Sequence, residues 1–203
     1  MARRGRWWGA VLLAAVLAAS GCSQGTGNPT GELGSTDVGE PWALPDTELV
    51  DTGGADFALA DDADKPVTLV FFGYTNCPDI CQLVMSNIAS ALTRLDDDQR
   101  DRVEVVFVTT DPARDTEKAL RRYLDRFDPS FVGLTGSMKR INELGDAFHV
   151  AIDKGEKLAS GGYDVTHGTQ IFLVDDQEVP MFWRQETSSA ELADDLVLLL
   201  EDA

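Results

Sequence analysis

Basic residues are scarce, with 17 Lys and Arg against 35 Asp and Glu in 203 residues, a formal charge of −18. Phosphate backbones are held by a basic stripe or patch, so nucleic acid is excluded as a partner. The acidic excess reads first as a solubility device, and only second as an attractant for cations. Cysteine and histidine are scarcer still, at three and two. That restricts any metal site built from them to a small ligand set. Also lacking is a comfortable membrane span. The apolar stretch from Trp7 to Ala19 stops short of the ~20 residues a bilayer needs. No low-complexity run is long enough for wholesale disorder, and 43% of the residues are hydrophobic. The chain is long enough for one domain with a full core and extra segments.

What is present begins with Arg3, Arg4 and Arg6, followed by that apolar stretch, the small residues Ala18-Ala19-Ser20-Gly21, and Cys22. The order resembles a bacterial lipoprotein signal, in which the cysteine after the cleavage site is lipidated and becomes the mature N-terminus. Ala19 stands where a large aliphatic residue is usual. A plain secretory signal or an uncleaved anchor is the alternative. On the lipoprotein reading, residues 1–21 are a signal peptide and Cys22 carries the lipid. Residues 22–42, rich in Gly, Ser, Thr, Asn and Pro, form a flexible tether, and 43–203 is the folded domain. Such a protein is exported and faces the extracytoplasmic side of a bacterial cytoplasmic membrane. Two sulfurs then remain, Cys77 and Cys81, in a compartment where thiols oxidise, and a free dithiol there needs a use.

Along the folded part, residues 46–50 and 56–60 flank Thr52-Gly53-Gly54 and read as a short hairpin. The run Val67-Thr68-Leu69-Val70-Phe71-Phe72 is β-branched and aromatic, as a central strand buried on both faces is. Cys77-Pro78 reads as the start of a helix to about Leu95, with apolar residues at Ile80, Val84, Ile88, Ala91, Leu92 and Leu95. Val103–Thr109 reads as a second buried strand, and 116–127 and 137–147 as helices. Residues 148–153 read as a strand. Ile171–Val174 and 179–183 read as an antiparallel hairpin, and 188–201 as a closing amphipathic helix capped by Ser188 or Ser189. Strand–helix–strand–helix followed by a hairpin and a helix is an α/β layout. It predicts a thioredoxin-like three-layer sandwich with a mixed central sheet and an added N-terminal hairpin.

The chemistry-bearing stretch is Gly73-Tyr74-Thr75-Asn76-Cys77-Pro78-Asp79-Ile80-Cys81, where strand becomes helix. Cysteines four apart on a helix share a face with Cβ atoms about 5–6 Å apart. A disulfide wants about 4 Å, so a regular helix suits a metal between the sulfurs better. A distorted first turn would still allow oxidation. The helix N-terminus favours thiolates. Two buried structural cysteines are the plain alternative. His167 ends the glycine-rich stretch 160–167, read as a loop feeding strand 169–174. In a thioredoxin-like fold that loop packs beside the cysteine-bearing junction, placing His167 to offer a ring nitrogen to the same ion. His149, between Phe148 and Val150 in an expected strand, has no partner motif and reads as having no metal role. Two thiolates and one imidazole select Cu(I), and the imidazole accommodates Cu(II) as well. Structural zinc prefers four ligands, which Asp79 or Asp111 would have to complete.

GYTNCPDIC at 73–81, TTDPARDT at 109–116 and the glycine-rich loop ending in His167 together resemble the Sco/SenC copper chaperones. The likeness runs over roughly residues 42–200. It implies a membrane-anchored thioredoxin-like domain that binds copper through Cys77, Cys81 and His167. It also implies a task, delivering copper from an extracytoplasmic donor to the binuclear centre of cytochrome c oxidase subunit II. The family's loop more often has Asp before the histidine and Ser after it, where this chain has Thr166 and Gly168. Asp111, Arg114 and Asp115 belong to the second motif. Their functional reading is a role beside the metal, and their plain reading is a helix N-cap with a local ion pair.

A copper carrier is not an enzyme. The alternative function is an extracytoplasmic thiol–disulfide oxidoreductase acting on the subunit II cysteines or in redox defence, with Cys77 and Cys81 as the redox pair. It needs both cysteines but not His167. A peroxidase shares the fold yet gives no reason for Cys81 or His167.

Overall fold

The protein is described here by a computed structural model covering residues 32–157 and 162–203. The first half comprises β1 (Thr36–Ala43), β2 (Glu48–Asp51), β3 (Asp56–Ala58), α1 (Leu59–Asp62), β4 (Val67–Gly73), α2 (Ile80–Leu92), α3 (Asp97–Asp101) and β5 (Val103–Thr109). The second comprises α4 (Glu117–Leu124), β6 (Val132–Thr135), α5 (Met138–Ala147), β7 (Asp153–Lys157), β8 (Tyr163–Thr166), β9 (Ile171–Val174), β10 (Glu178–Trp183) and α6 (Ser189–Asp202).

Eight strands form one sheet in the order β1-β10-β9-β4-β5-β6-β2-β3, and β7–β8 is a separate ribbon. The β4–β5 and β5–β6 pairs are parallel, while β9 runs antiparallel to β4. The sheet is therefore mixed, as the pattern predicts. β4 is buried at every position because both its faces are covered. Val67, Leu69 and Phe71 pack with Val84, Met85 and Ile88 of α2, Leu120 and Leu124 of α4, and Leu192, Leu196 and Leu200 of α6. Val70 and Phe72 pack on the other face with Leu59 of α1 and with Ile141 and Leu144 of α5. Helix, sheet, helix: three layers with hydrophobic cores on both sides of the sheet. The hairpin β2–β3 extends the sheet at one edge, through β6.

Four expectations need correction. Residues 36–42, assigned to the tether, are strand: β1 hydrogen-bonds β10 at the opposite edge. Its side chains are mostly exposed, so hydrogen bonding to a neighbour makes it a strand and no apolar pattern announces it. β6 went unread because it is only four residues, Val-Gly-Leu-Thr. Gly133 is small there for a reason, since a Cβ would stand 2.7 Å from Leu124 Cδ1. Residues 148–152 are the exit from α5, where Val150 N–H donates to the Gly145 carbonyl at 2.8 Å and His149 takes φ 54°. That left-handed residue closes the helix end. His149 packs edge-on to Trp42 at 4.4 Å between ring centroids. Finally, Tyr163–Thr166 is a strand paired with β7, where the glycine content suggested only loop. The signal peptide and Cys22 lie outside the described residues. Among those residues no helix is long and apolar enough to cross a membrane.

Candidate metal centre

The β4–β9 register brings the site together. Phe71 pairs with Ile171, so the chain leaving β4 toward the cysteines passes beside the chain entering β9 from His167. Cys77 is not on the helix. Its N–H donates to the Tyr74 carbonyl at 3.1 Å in a turn, and α2 begins only at Ile80, with Asp79 as its N-cap. The helical spacing expected for the pair therefore does not apply. In its place the Cys77 sulfur accepts the backbone N–H of Cys81 at 3.4 Å, one of the first-turn donors a helix cannot satisfy internally. A sulfur in that position lies at the helix N-terminus, where the dipole favours negative charge.

The ligand atoms of Cys77, Cys81 and His167 all lie within 4.8 Å of one another. Cys81 Sγ is 3.4 Å from His167 Nε2. His167 Nδ1 is 2.6 Å from the Gly168 carbonyl. A carbonyl only accepts, so Nδ1 is the donor there, and that bond turns Nε2 toward the sulfurs, the orientation a metal-binding imidazole needs. The ring is held edge-on by Phe71 and Tyr74, at centroid separations of 6.2 and 5.6 Å. Both cysteines are free and buried.

The two thiols are not equivalent. A hydrogen bond from the Cys81 thiol pulls the Cys77 thiol down to about 4 against the opposing effect of burial, with the His167 ring and the backbone N–H groups of Cys81 and Asp79 adding to it. The Cys81 thiol is pushed up, first by that same bond to Cys77 and then by burial. At neutral pH the pair holds one thiolate, shared between two sulfurs. Thiolate ultraviolet absorbance of the metal-free, reduced protein should therefore amount to about one thiolate per chain at pH 7, and Cys77→Ser should lose it. A signal appearing only above about pH 8, as for ordinary thiols, would contradict this picture.

Asp111 is buried and away from the ligand atoms. Its carboxylate pairs with Arg114 and accepts the Tyr163 hydroxyl at 2.7 Å. It is not a helix cap, because Thr116 caps α4, but the local ion pair is present. Asp79 spends its side chain on the N–H of Ile80. Neither belongs to the ligand-atom group, so the cluster among the described residues stays at three. Asp115, in the same motif, does reach the cysteine turn. It accepts from Thr75 N–H at 2.8 Å, Thr75 Oγ1 at 2.6 Å and Thr109 Oγ1 at 2.7 Å. Tyr74 and Asp164 carry no signal in spacing, yet the Tyr74 hydroxyl donates to Asp164. That bond holds the Asp164 carboxyl below its usual range and, after burial, is the second cause raising the Tyr74 phenol.

A pocket of two sulfurs and one imidazole nitrogen is a soft, low-coordinate donor set, suited to a thiophilic ion or to thiol–disulfide exchange. The family model described as SCO1/SenC matches residues 34–201. The protein SCO2 homolog, mitochondrial, of Danio rerio is 37% identical over 141 residues, covering 64% of this chain and 50% of that protein. Apo Sco1 of Thermus thermophilus is similar in structure with a TM-score of 0.72 at 31% identity, covering 86% of this chain and 99% of that one. ScoI of Bradyrhizobium japonicum, solved with copper bound, gives a TM-score of 0.67 at 30% identity, covering 76% and 98%. The chain spans about half to two thirds of the length of the curated relatives it matches. With the model spanning nearly all of the folded part, and the fold and ligand cluster in agreement with it, the chain belongs to the SCO1/SenC family.

Proposed function

We propose that this protein is a copper chaperone that binds one copper ion through Cys77, Cys81 and His167. Its recipient is cytochrome c oxidase subunit II, during assembly of the binuclear copper centre, and the copper comes from an extracytoplasmic donor. On this reading the protein works outside a bacterial cytoplasmic membrane, held there by lipid on Cys22. The observation that carries the reading is the convergence of two sulfurs and an imidazole nitrogen within 4.8 Å. Soft ligands in low number favour Cu(I), and the imidazole extends the set to Cu(II). A low-coordinate site with one imidazole ligand on the β8–β9 connection suits a cargo that must be passed on.

The unequal thiols favour a second reading, thiol–disulfide exchange, since a thiolate beside a protonated partner is the arrangement of a redox pair. The histidine separates the two. In a deletion strain, wild-type protein should restore oxidase activity and subunit II copper, and His167→Ala should not. Purified His167→Ala should also lose about a hundredfold in copper affinity, the cost of one ligand among three. Full rescue by His167→Ala would sink copper transfer and leave the dithiol reading.

A further inference from the structure

The ribbon β7–β8 carries His167 at its end but is not part of the main sheet. What fixes it to the cysteine turn is therefore a question of side chains. Two tyrosines cross that gap in opposite directions. Tyr74, from the cysteine turn, donates its hydroxyl to Asp164 on β8. Tyr163, from β8, donates its hydroxyl to Asp111 beyond β5 at 2.7 Å. Arg114 lies against both, 3.8 Å from the Tyr163 ring centroid and 5.5 Å from that of Tyr74, and pairs with Asp111. Tyr74 is almost wholly buried while Asp164 is exposed. A buried phenol thus spends its only proton on a surface carboxylate three residues before the histidine. The same Tyr74 ring stands edge-on to the His167 imidazole.

We infer that Tyr74 and Asp164 form a clasp that positions His167 over the two sulfurs, with Arg114 and Tyr163 as its backing. This deepens the copper-site reading and rests on it for its purpose, but the clasp itself is a property of the metal-free chain. Asp164 and Thr166 lie two apart on β8 and share a face, so anchoring Asp164 fixes how the strand delivers the next residue, His167. Without the bond, the ribbon keeps its β7–β8 pairing but loses its tie to the cysteine turn. The site then has two sulfurs in place and an imidazole that must be found. Tyr74 and Asp164 are positioning residues, acting through His167.

The test uses the full chain as wild type, Tyr74→Phe, Asp164→Ala and the double variant. Tyr74→Phe keeps the ring and Asp164 is exposed, so the fold is expected to survive both. In metal-free protein, amide hydrogen exchange at 165–168 should quicken roughly tenfold in each single variant, with α2 unchanged. Asp164 also accepts the Val165 N–H at 2.9 Å, so beyond that amide the double variant should be no faster than Asp164→Ala alone, because the bond that Tyr74→Phe removes is already gone. On loading with Cu(I), X-ray absorption should show two sulfurs and one nitrogen in wild type and two sulfurs alone in the variants. Unchanged exchange at 165–168, or strictly additive effects, would overturn the clasp. If wild type takes up no copper, the copper reading fails, and the exchange measurement still decides the clasp.

Discussion

Cys81→Ala should weaken copper binding by up to about a hundredfold, with a deficit that does not shrink between pH 7 and 8. Removing one ligand of several costs roughly 3 kcal/mol, or about a hundredfold, if the overall binding energies of thiolate metal sites are shared among their ligands. Protons do not add to that loss. In wild type the Cys77 thiol is held low chiefly because the Cys81 thiol donates to it, and copper must displace the Cys81 proton to take both sulfurs. In Cys81→Ala that donor is gone, Cys77 returns toward its ordinary value of 9.0, and copper displaces the Cys77 proton instead. Each protein releases about one thiol proton on binding, so both affinities rise together with pH. Competition for Cu(I) against a calibrated chelator at several pH values measures the deficit and its slope. A deficit that shrinks steeply from pH 7 to pH 8 contradicts the account of one proton shared by two sulfurs.

Asp115→Ala should destabilise the fold by about 1–3 kcal/mol, with the loss concentrated at the cysteine turn. Asp115 is fully buried and is the acceptor for three donors, two from Thr75 and one from Thr109. The hydroxyls can rotate toward other acceptors, but the Thr75 N–H cannot. A buried donor without a partner costs about 1–3 kcal/mol. Thr75 lies two residues before Cys77, so the turn presenting that sulfur is what loosens. The pH dependence gives a second check. Burial raises the Asp115 carboxyl above 3.8, against the lowering effect of the Thr75 and Thr109 donors. A folded value above the unfolded one means stability that is complete below the unfolded carboxyl value and lost as pH rises through the folded one. Wild type should therefore lose stability relative to Asp115→Asn as pH rises through the raised value, since the amide does not titrate. Urea unfolding of both proteins across that range measures the difference, and an opposite slope would contradict it.

Much of the fold was legible because its physical causes are local. β4 and β5 are unbroken apolar runs, and such runs are what a strand covered on both faces requires. Helices α5 and α6 begin at Ser137 and Ser188, which cap them with their own hydroxyls. Ser188 completes a reciprocal pair with Glu191. Two elements escaped because few of their side chains are buried to leave a pattern. β1 is a strand because the edge of β10, near the other end of the chain, needs a partner. β8 is one because it pairs with β7, the strand just before it. Helix α2 starts at Ile80, three residues after the Cys77 that the pattern predicts. Pro78 suits a first turn, but Asp79 captures the Ile80 N–H and sets the boundary there.

The candidate site divides along the same line. The sequence alone determined the identity of the three donors, since two cysteines and one histidine in their motifs leave little choice of ligand. It also offered a local ion pair in the second motif as one of two readings, and Asp111 and Arg114 form one. Only the tertiary structure decided that His167, 86 residues from Cys81, stands 3.4 Å from its sulfur. That closeness is set by the antiparallel register of β4 and β9, which no local pattern encodes. The same holds for the unequal thiols, which depend on the Cys77 sulfur leaving the helix to sit at its end. It holds too for Tyr74, Asp115 and Asp164, whose partners lie 40 to 90 residues away. Donor chemistry belongs to residue types and can be read one letter at a time. Donor geometry is a property of which chain segments pack together, and that is decided by burying both faces of the sheet at once.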